Sequence, residues 1–561
     1  MASVVPSCLM SGACPLFRST IMDGNVLRGI LALPLELYLY FFQELHPPDL
    51  LSLGQTCKLI RNTVSQRHVW EAALRATCRL NQVFEPSYEP IGELSLGELQ
   101  RAALEPWRRS ASFATWANRD EGPAASSMQR VVRSVGGWAD DDEREEDEDV
   151  GASDSDSGSS SESGAQTASD ANGDLALTKD TSRTEIKLVG ERCWDEMRFE
   201  EVYVVPGGRY VLGRTEKYVC LWDMGQTGQA SRNSKLTKLR YASIMWNDTG
   251  SVTWLMSTPR TVNGSGFRFA TCVDDLCFRV FEVGPMPDSC AIREIAKFEG
   301  GSPGLNPEDL WVQEDRMMCR FDEGLLVWDF VKSEYSAIPI RGEVEKITTN
   351  GDLVVAWEGP NTGVWTIPRL KPLEDASSTL NELLPSNFTN GVDLDTIKDD
   401  DDGAPRRQIH LPSAWYCYPL HALEYATLHQ VGGKDIVERY LLNIAGGAGA
   451  RRVKTLVSSS QPMDPLDSPQ RKKPYRTICG GLAIMVDRLL SPKRGWRTGF
   501  IQSVGDGAPQ RDAEKIEYVF KELNVVFQDF SYCPVTGRAA YIPLNPPSRD
   551  VHKISIMRLD Y

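Results

Sequence analysis

The chain has 561 residues, 41% of them hydrophobic and 9% aromatic, which is ample for a sizeable core; at roughly 150 residues per domain its length corresponds to about three or four units. It holds 77 acidic and 61 basic residues, a net charge of −16, which excludes a general nucleic-acid coat or an anionic-membrane binder, since either needs a basic face. Twelve of the acids and a single arginine lie between Asp140 and Gly164, so this stretch alone supplies −11 of the −16.

Thirteen cysteines are scattered from Cys8 to Cys533 with no C-x-x-C, a pattern that predicts reduced thiols in the cytosol or nucleus. The six histidines form no H-E-x-x-H and no zinc spacing, so no metal site is expected. Met1 to Leu16 lacks a basic stretch before its apolar residues. No apolar run approaches the roughly 18 to 20 residues of a membrane span. The expectation is a soluble cytoplasmic or nuclear protein.

Five zones follow in order. Residues 1–28 are a weakly patterned lead. Residues 29–75 are dense in helical periodicity, and residues 76–119 continue it. Residues 120–184 are rich in Gly, Ser, Ala and Asp, too poor in large apolar groups to offset the entropy of ordering them, and predict a disordered acidic linker. Residues 185–561 change to short β-rich runs broken by Gly, Asp, Asn and Pro. The fold class expected is therefore α+β and multidomain: a small all-α unit, then a large all-β one.

In the helical zone Leu33, Leu37, Phe41 and Leu45 recur every four residues and share one stripe of a helix. Pro34 and Glu36 suit its first turn. His46-Pro47-Pro48 is expected to end it, because a proline forces its predecessor out of the α region. Asp49 is the expected N-cap of a second helix carrying Leu50, Leu53, Cys57 and Ile60. After the polar stretch Arg61 to His68, Trp70 closes the block, and Ala72, Ala73, Leu74, Leu80, Leu96, Leu99, Leu104 and Trp107 extend it.

The ordered pattern L-P-L-E-L-x-x-x-F-F-x-x-L-x-P-x-D-L-L-x-L-x-x-T-C-K-x-x-R, closed by Trp70, resembles the F-box. Phe41 stands where that family more often has isoleucine, which keeps the position apolar. The resemblance implies three short helices docked on the Skp-type adaptor of a cullin-RING ubiquitin ligase, with Leu33, Pro34, Leu37, Phe41, Leu45, Leu50, Leu53 and Trp70 as candidate adaptor-binding residues. A block of about 40 residues is also too small to bury a good core alone, so a partner would cover its surplus apolar groups. The competing reading packs the same residues against the chain's own second domain.

In the linker, Asp140 to Asp149 and the serine-acid run Ser153 to Ser163 repel internally and keep the chain open. Ser153 and Ser159, each followed three residues later by an acid, are candidate phosphorylation sites.

The β-rich zone repeats a strand ending: Tyr218–Asp223, Leu276–Glu282, Gly324–Phe330, Thr362–Ile367, Val437–Asn443, Trp496–Ile501 and Lys553–Leu559. Units of roughly 40 to 45 residues suit WD-type blades. Seven such strands predict a seven-bladed β-propeller, with six or eight blades and a pair of β-sandwiches as alternatives. Ala242–Trp246, Ser251–Met256 and Phe267–Cys272 are placed in the unit that ends at Phe281. Asn247–Gly250 and Asn350–Asp352 are expected hairpin turns. The Trp-Asp pairs at 222–223 and 328–329 resemble WD-repeat strand ends, although the other repeats lack the pair and the companion Gly-His is absent. Pro372 to Arg407, with its acidic run Asp399 to Asp402, is expected to be an inserted loop. Trp311, Trp357 and Trp415 are expected in blade cores, Arg471–Arg476 in a solvated basic loop, and Gly446–Ala450 in a turn.

Neither G-x-S-x-G nor a phosphate-binding glycine loop stands at a strand–helix junction, and Asp274-Asp275 alone is no catalytic pair. The resemblance therefore implies a non-catalytic substrate receptor with no cofactor. Its adaptor would bring in the cullin and RING subunits, and its propeller would bind a protein substrate. The alternatives are an F-box scaffold or trafficking protein that binds the adaptor without directing degradation, and a propeller enzyme.

Overall fold

The computed structural model describes, with gaps, residues 37–117, 184–186, 199–374, 395–397, 406–443, 454–459 and 477–558. The acidic segment with Ser153 and Ser159, together with Leu33, Pro34, Asp274-Asp275, Asn247–Gly250, Asp399–Asp402, Trp415, Gly446–Ala450 and Arg471–Arg476, lies outside the described residues.

The N-terminal part is helical. Leu37 and Tyr40–Phe42 are helical, followed by α1 (Pro47–Gly54), α2 (Lys58–Val64), α3 (Arg67–Leu80) and α4 (Leu96–Ala117), with single 3-10 turns at Glu85–Tyr88 and Ile91–Glu93. His46 is extended, as a residue before proline must be, but it is itself the N-cap of α1. Pro47 and Pro48 open that helix, since a first turn has no use for their missing N–H groups, and this moves Asp49 from the expected cap into the first turn. Trp70 does not close a block. It sits one turn into α3, a 14-residue helix running on to Leu80. α4 starts on a capping box: the Ser95 amide donates to Glu98 Oε2 (2.8 Å) and the Glu98 amide donates back to Ser95 Oγ (3.3 Å).

The rest is β. Among the described residues the strands form seven antiparallel sheets. The first comprises Phe199–Val204, Tyr210–Thr215, Tyr218–Asp223 and Arg240–Met245 in that order. In every sheet the third strand is one of the seven recurrent strands of the sequence: Tyr218–Asp223, Cys277–Val283, Gly324–Asp329, Asn361–Thr366, Lys434–Asn443, Gly495–Val504 and Ile554–Arg558. The seventh sheet takes its fourth strand from far upstream, where Thr184–Ile186 pairs with Ile554–Ile556. That strand includes Thr184, the last residue assigned to the linker.

Two assignments shift. Arg240–Met245 pairs with Tyr218–Asp223 and is the fourth strand of the first sheet, not a member of the unit ending at Phe281. The insertion after Pro372 is not all loop, because Asp395–Ile397 supplies the fourth strand of the fourth sheet, pairing with Thr362–Val364. In both cases the third strand would otherwise leave a row of unpaired backbone groups. Gly351, at φ +61°, makes the hairpin expected at Asn350–Asp352.

Alternate residues of one strand serve different neighbours, as a period of two requires. In the first sheet Tyr210, Leu212, Val219 and Leu221 pack on Phe267, Phe269 and Phe281 of the second. Val202, Val204, Cys220 and Trp222 point the other way, toward Tyr532, Ala540 and Ile542 of the seventh. In the third sheet Met317, Cys319 and Trp328 face the second, while Met318, Leu325 and Val327 face the fourth. Such strands are buried on both faces, which explains why Tyr210–Thr215 and Gly324–Asp329 are buried throughout. Trp311 is core, its indole N–H donating to Thr349 Oγ1 (3.2 Å).

Candidate functional site

The helical block has an inner and an outer face. Inside, Phe42, Leu50, Ile60, Val64, Val69, Trp70, Ala73 and Leu74 are buried in one cluster. Trp70 is wholly enclosed and its indole N–H donates to the Val64 carbonyl (2.8 Å). Arg67 ties α3 to the following turns, donating to the carbonyls of Leu94 (2.6 Å) and Ile91 (2.7 Å) and to Glu71 (2.6 Å).

This cluster does not stop at the helices. It runs through Tyr88, Leu94 and Leu99 into Phe199, Val202 and Trp222 of the first sheet and Tyr532, Val535 and Ile542 of the seventh. The helical extension thus packs onto these two sheets. The Phe84 amide donates to the Pro206 carbonyl (3.0 Å) and the Thr227 amide to the Ser87 carbonyl (2.9 Å). Gln226 Nε2 donates to the carbonyls of Tyr88 (2.7 Å) and Pro90 (2.9 Å).

Arg209 is the centre of this joint. Its Nε and Nη2 donate to the two carboxylate oxygens of Asp223 (2.7 and 2.8 Å), and its Nη1 donates to the carbonyls of Pro86 (3.3 Å) and Glu89. Both side chains are buried. Burial is the largest single influence and works against the guanidinium charge, but the Asp223 hydrogen bonds together with the charge interactions of Tyr210, Asp223 and Cys290 hold Arg209 above its ordinary range. The Asp of the first Trp-Asp pair thus anchors the helical block through Arg209. Asp329, of the second pair, serves its own turn by accepting from the amides of Val331 (3.2 Å) and Lys332 (2.9 Å).

On the outer face the apolar groups are uncovered. Leu37 is 52% exposed, Tyr40 69% and Phe41 52%, and Leu51 and Leu59 are exposed on α1 and at the start of α2. The eight sequence candidates therefore divide. Leu37 and Phe41 lie outward, Leu45 and Leu53 are partly buried against the core, and Leu50 and Trp70 belong to the core itself. The fourfold stripe missed Phe42, which turns inward one residue after Phe41. Tyr40, three residues after Leu37, also lies outward, as a period of 3.6 allows. Leu51 and Leu59 lie on the two following helices, beyond the fourfold stripe.

The cysteines follow the same division. Burial, with Glu85 nearby, pushes the Cys78 thiol well above its usual range, and burial pushes Cys220 up to about 12, whereas Cys57 on the N-terminal side of α2 is half-exposed. Among the described residues no group of three or more His, Cys, Asp or Glu is placed to hold a metal ion.

Residues 30–76 match the model of the family described as F-box-like. No curated protein matches the chain. Among solved structures the chain is similar to Hsv2 of Kluyveromyces lactis, at 12% identity over 65% of this chain and 98% of that one, with a TM-score of 0.34. It is also similar to the WD40 domain of SCAP from fission yeast, at 10% identity over 64% of this chain and 84% of that one, with a TM-score of 0.32. The chain thus carries an F-box-like domain followed by a mostly β-sheet region.

Proposed function

We propose that this chain is the substrate-receptor subunit of an SCF-type cullin-RING ubiquitin ligase, its F-box-like domain binding a Skp-type adaptor and its β region holding the protein substrate. The observation that carries the reading is the outer face of the F-box-like domain. Leu37, Tyr40 and Phe41 stand in water while Phe42, one residue further, is enclosed. Uncovered apolar groups of this kind on a helical surface suit a partner that buries them.

The β region is read as a closed seven-bladed propeller, a reading supported by the seven sheets and by the pairing of Thr184–Ile186 with the last strand. Its loops would present the substrate. The chain contributes no reacting group and needs no cofactor. Its role is proximity, raising the effective concentration of a substrate lysine near the conjugating enzyme brought by the cullin and RING subunits. We place it in the cytoplasm or nucleus.

The test is capture of a purified Skp-type adaptor by the full chain. Replacing Leu37 and Phe41 together by alanine is expected to weaken capture at least tenfold while the β region keeps its thermal transition. Undiminished capture would overturn the reading. Loss of the protein should then lengthen the half-life of at least one cellular protein; unchanged half-lives throughout would favour an adaptor-bound scaffold.

A further inference from the structure

The joint between helices and sheets is built from parts that resist rotation. The Arg209 fork engages both oxygens of Asp223 and two carbonyls of the Glu85–Tyr88 turn and its exit. A planar guanidinium satisfied in two directions fixes an angle as well as a distance. Three glycines of the β region touch the helical block at separate points. A Cβ on Gly207 would lie 2.4 Å from Ser87 Oγ, one on Gly537 would lie 2.1 Å from Arg109 Nη1, and one on Gly228 would lie 3.4 Å from Ala102 Cβ. All three have positive φ, at +103°, +69° and +98°. Around these contacts runs the continuous apolar core from Trp70 to Tyr532.

We infer that Arg209 is a positioning residue that locks the helical block onto the first and seventh sheets, so that helices and β region move as one rigid body rather than as two domains on an acidic tether. Contact at three loops and one fork leaves no free axis for rotation. The outward residues Leu37 and Phe41 then hold a single orientation relative to the β region, whatever partner they carry. The acidic segment between Ala117 and Thr184 joins two points of one body, and the distance between helices and sheets does not depend on it. The inference stands apart from the adaptor reading, because it needs no partner.

The full chain tests it by hydrogen exchange and by a distance measurement. The Phe84 and Thr227 amides bond across the joint and report it directly. Arg209→Ala is expected to speed their exchange more than tenfold while the hairpin Arg316–Asp329 is unchanged, and Arg209→Lys, which keeps the charge but not the fork, is expected not to restore protection. Spin labels replacing the exposed Leu80 and Val331, in a chain whose reactive cysteines are changed to serine, are expected to give one narrow distance distribution that broadens in Arg209→Ala. A stabilising role alone would leave that width unchanged. Equal exchange at Phe84 and Thr227, or an already broad distribution in the unsubstituted chain, overturns the inference. If Arg209→Ala also speeds the reference hairpin, the chain has failed to fold and Asp223→Asn, which keeps the shape and removes the charge, decides by the same two readouts.

Discussion

Phe41 and Phe42 are neighbours in one helix, and they face opposite surroundings. Phe42 is enclosed with Leu50 and Trp70 in a core that continues into the β-sheets, whereas Phe41 stands half in water with Leu37 and Tyr40. The same helices therefore have an inner face whose work is folding and an outer face whose removal costs the fold little. The F-box-like pattern combines both sets in one string of apolar letters. Which letter serves which purpose is decided by what lies behind the helix.

That contrast can be broken in steps. The largest effect belongs to Trp70→Ala, which empties the inner face and forfeits a buried hydrogen bond; a loss of about 3–5 kcal/mol is expected in denaturant unfolding. Next, Asp223→Ala leaves the Arg209 charge buried without its partner and is expected to cost about 3 kcal/mol. Asp329→Ala, in the same dipeptide context but serving only a turn beside an exposed lysine, should cost about 1 kcal/mol, and equal losses would dissolve the distinction between the two Trp-Asp pairs. Gly207→Ala forces a side chain into positive φ against Ser87, and thermal unfolding should register a loss of about 1–3 kcal/mol. Leu37→Ala with Phe41→Ala is expected to change stability by only about 0.5 kcal/mol, as surface positions do, whatever it does to adaptor capture. A loss comparable to that of Trp70→Ala would mean that the outer face is core after all.

The cysteines give the mildest version of the same test. Alkylation of the native chain at pH 8, read by peptide mass, should mark Cys57 and spare Cys78 and Cys220. For Cys220, a thiol pushed up to about 12 is almost wholly protonated four units below that value. Modification of Cys78 before unfolding would show that the joint opens.

Much of this architecture was legible, and the reasons are local. The seven recurrent strands could be read because a third strand packed on both sides must be apolar nearly throughout, as Leu325, Leu326, Val327 and Trp328 are. Their fourth-strand partners could not. Asp395–Ile397 is short, lies about 30 residues downstream and carries no apolar alternation; only the open edge of Asn361–Thr366 requires it. The capping box at Ser95 and Glu98 stands in the sequence as S-x-x-E ahead of an apolar run. The joint was the least legible part. Its members are Ser87, Gly207, Arg209 and Thr227, polar or small residues separated from their partners across the joint by 119 positions and more, and no spacing rule links them. For the candidate surface, the motif names Leu50 and Trp70 together with Leu37 and Phe41, and burial alone could divide the two sets.

The pairing of Thr184–Ile186 with Ile554–Ile556 also sets an order of events during synthesis. Chains emerge from the ribosome N-terminus first and fold domain by domain. Here the helices emerge early but complete their core with Tyr532 and Ile542, and the seventh sheet cannot close until residue 558 has been made. Until then Phe199, Val202 and Trp222 have an uncovered apolar flank. During that interval the exposed flank is the part of the chain most open to association with other chains.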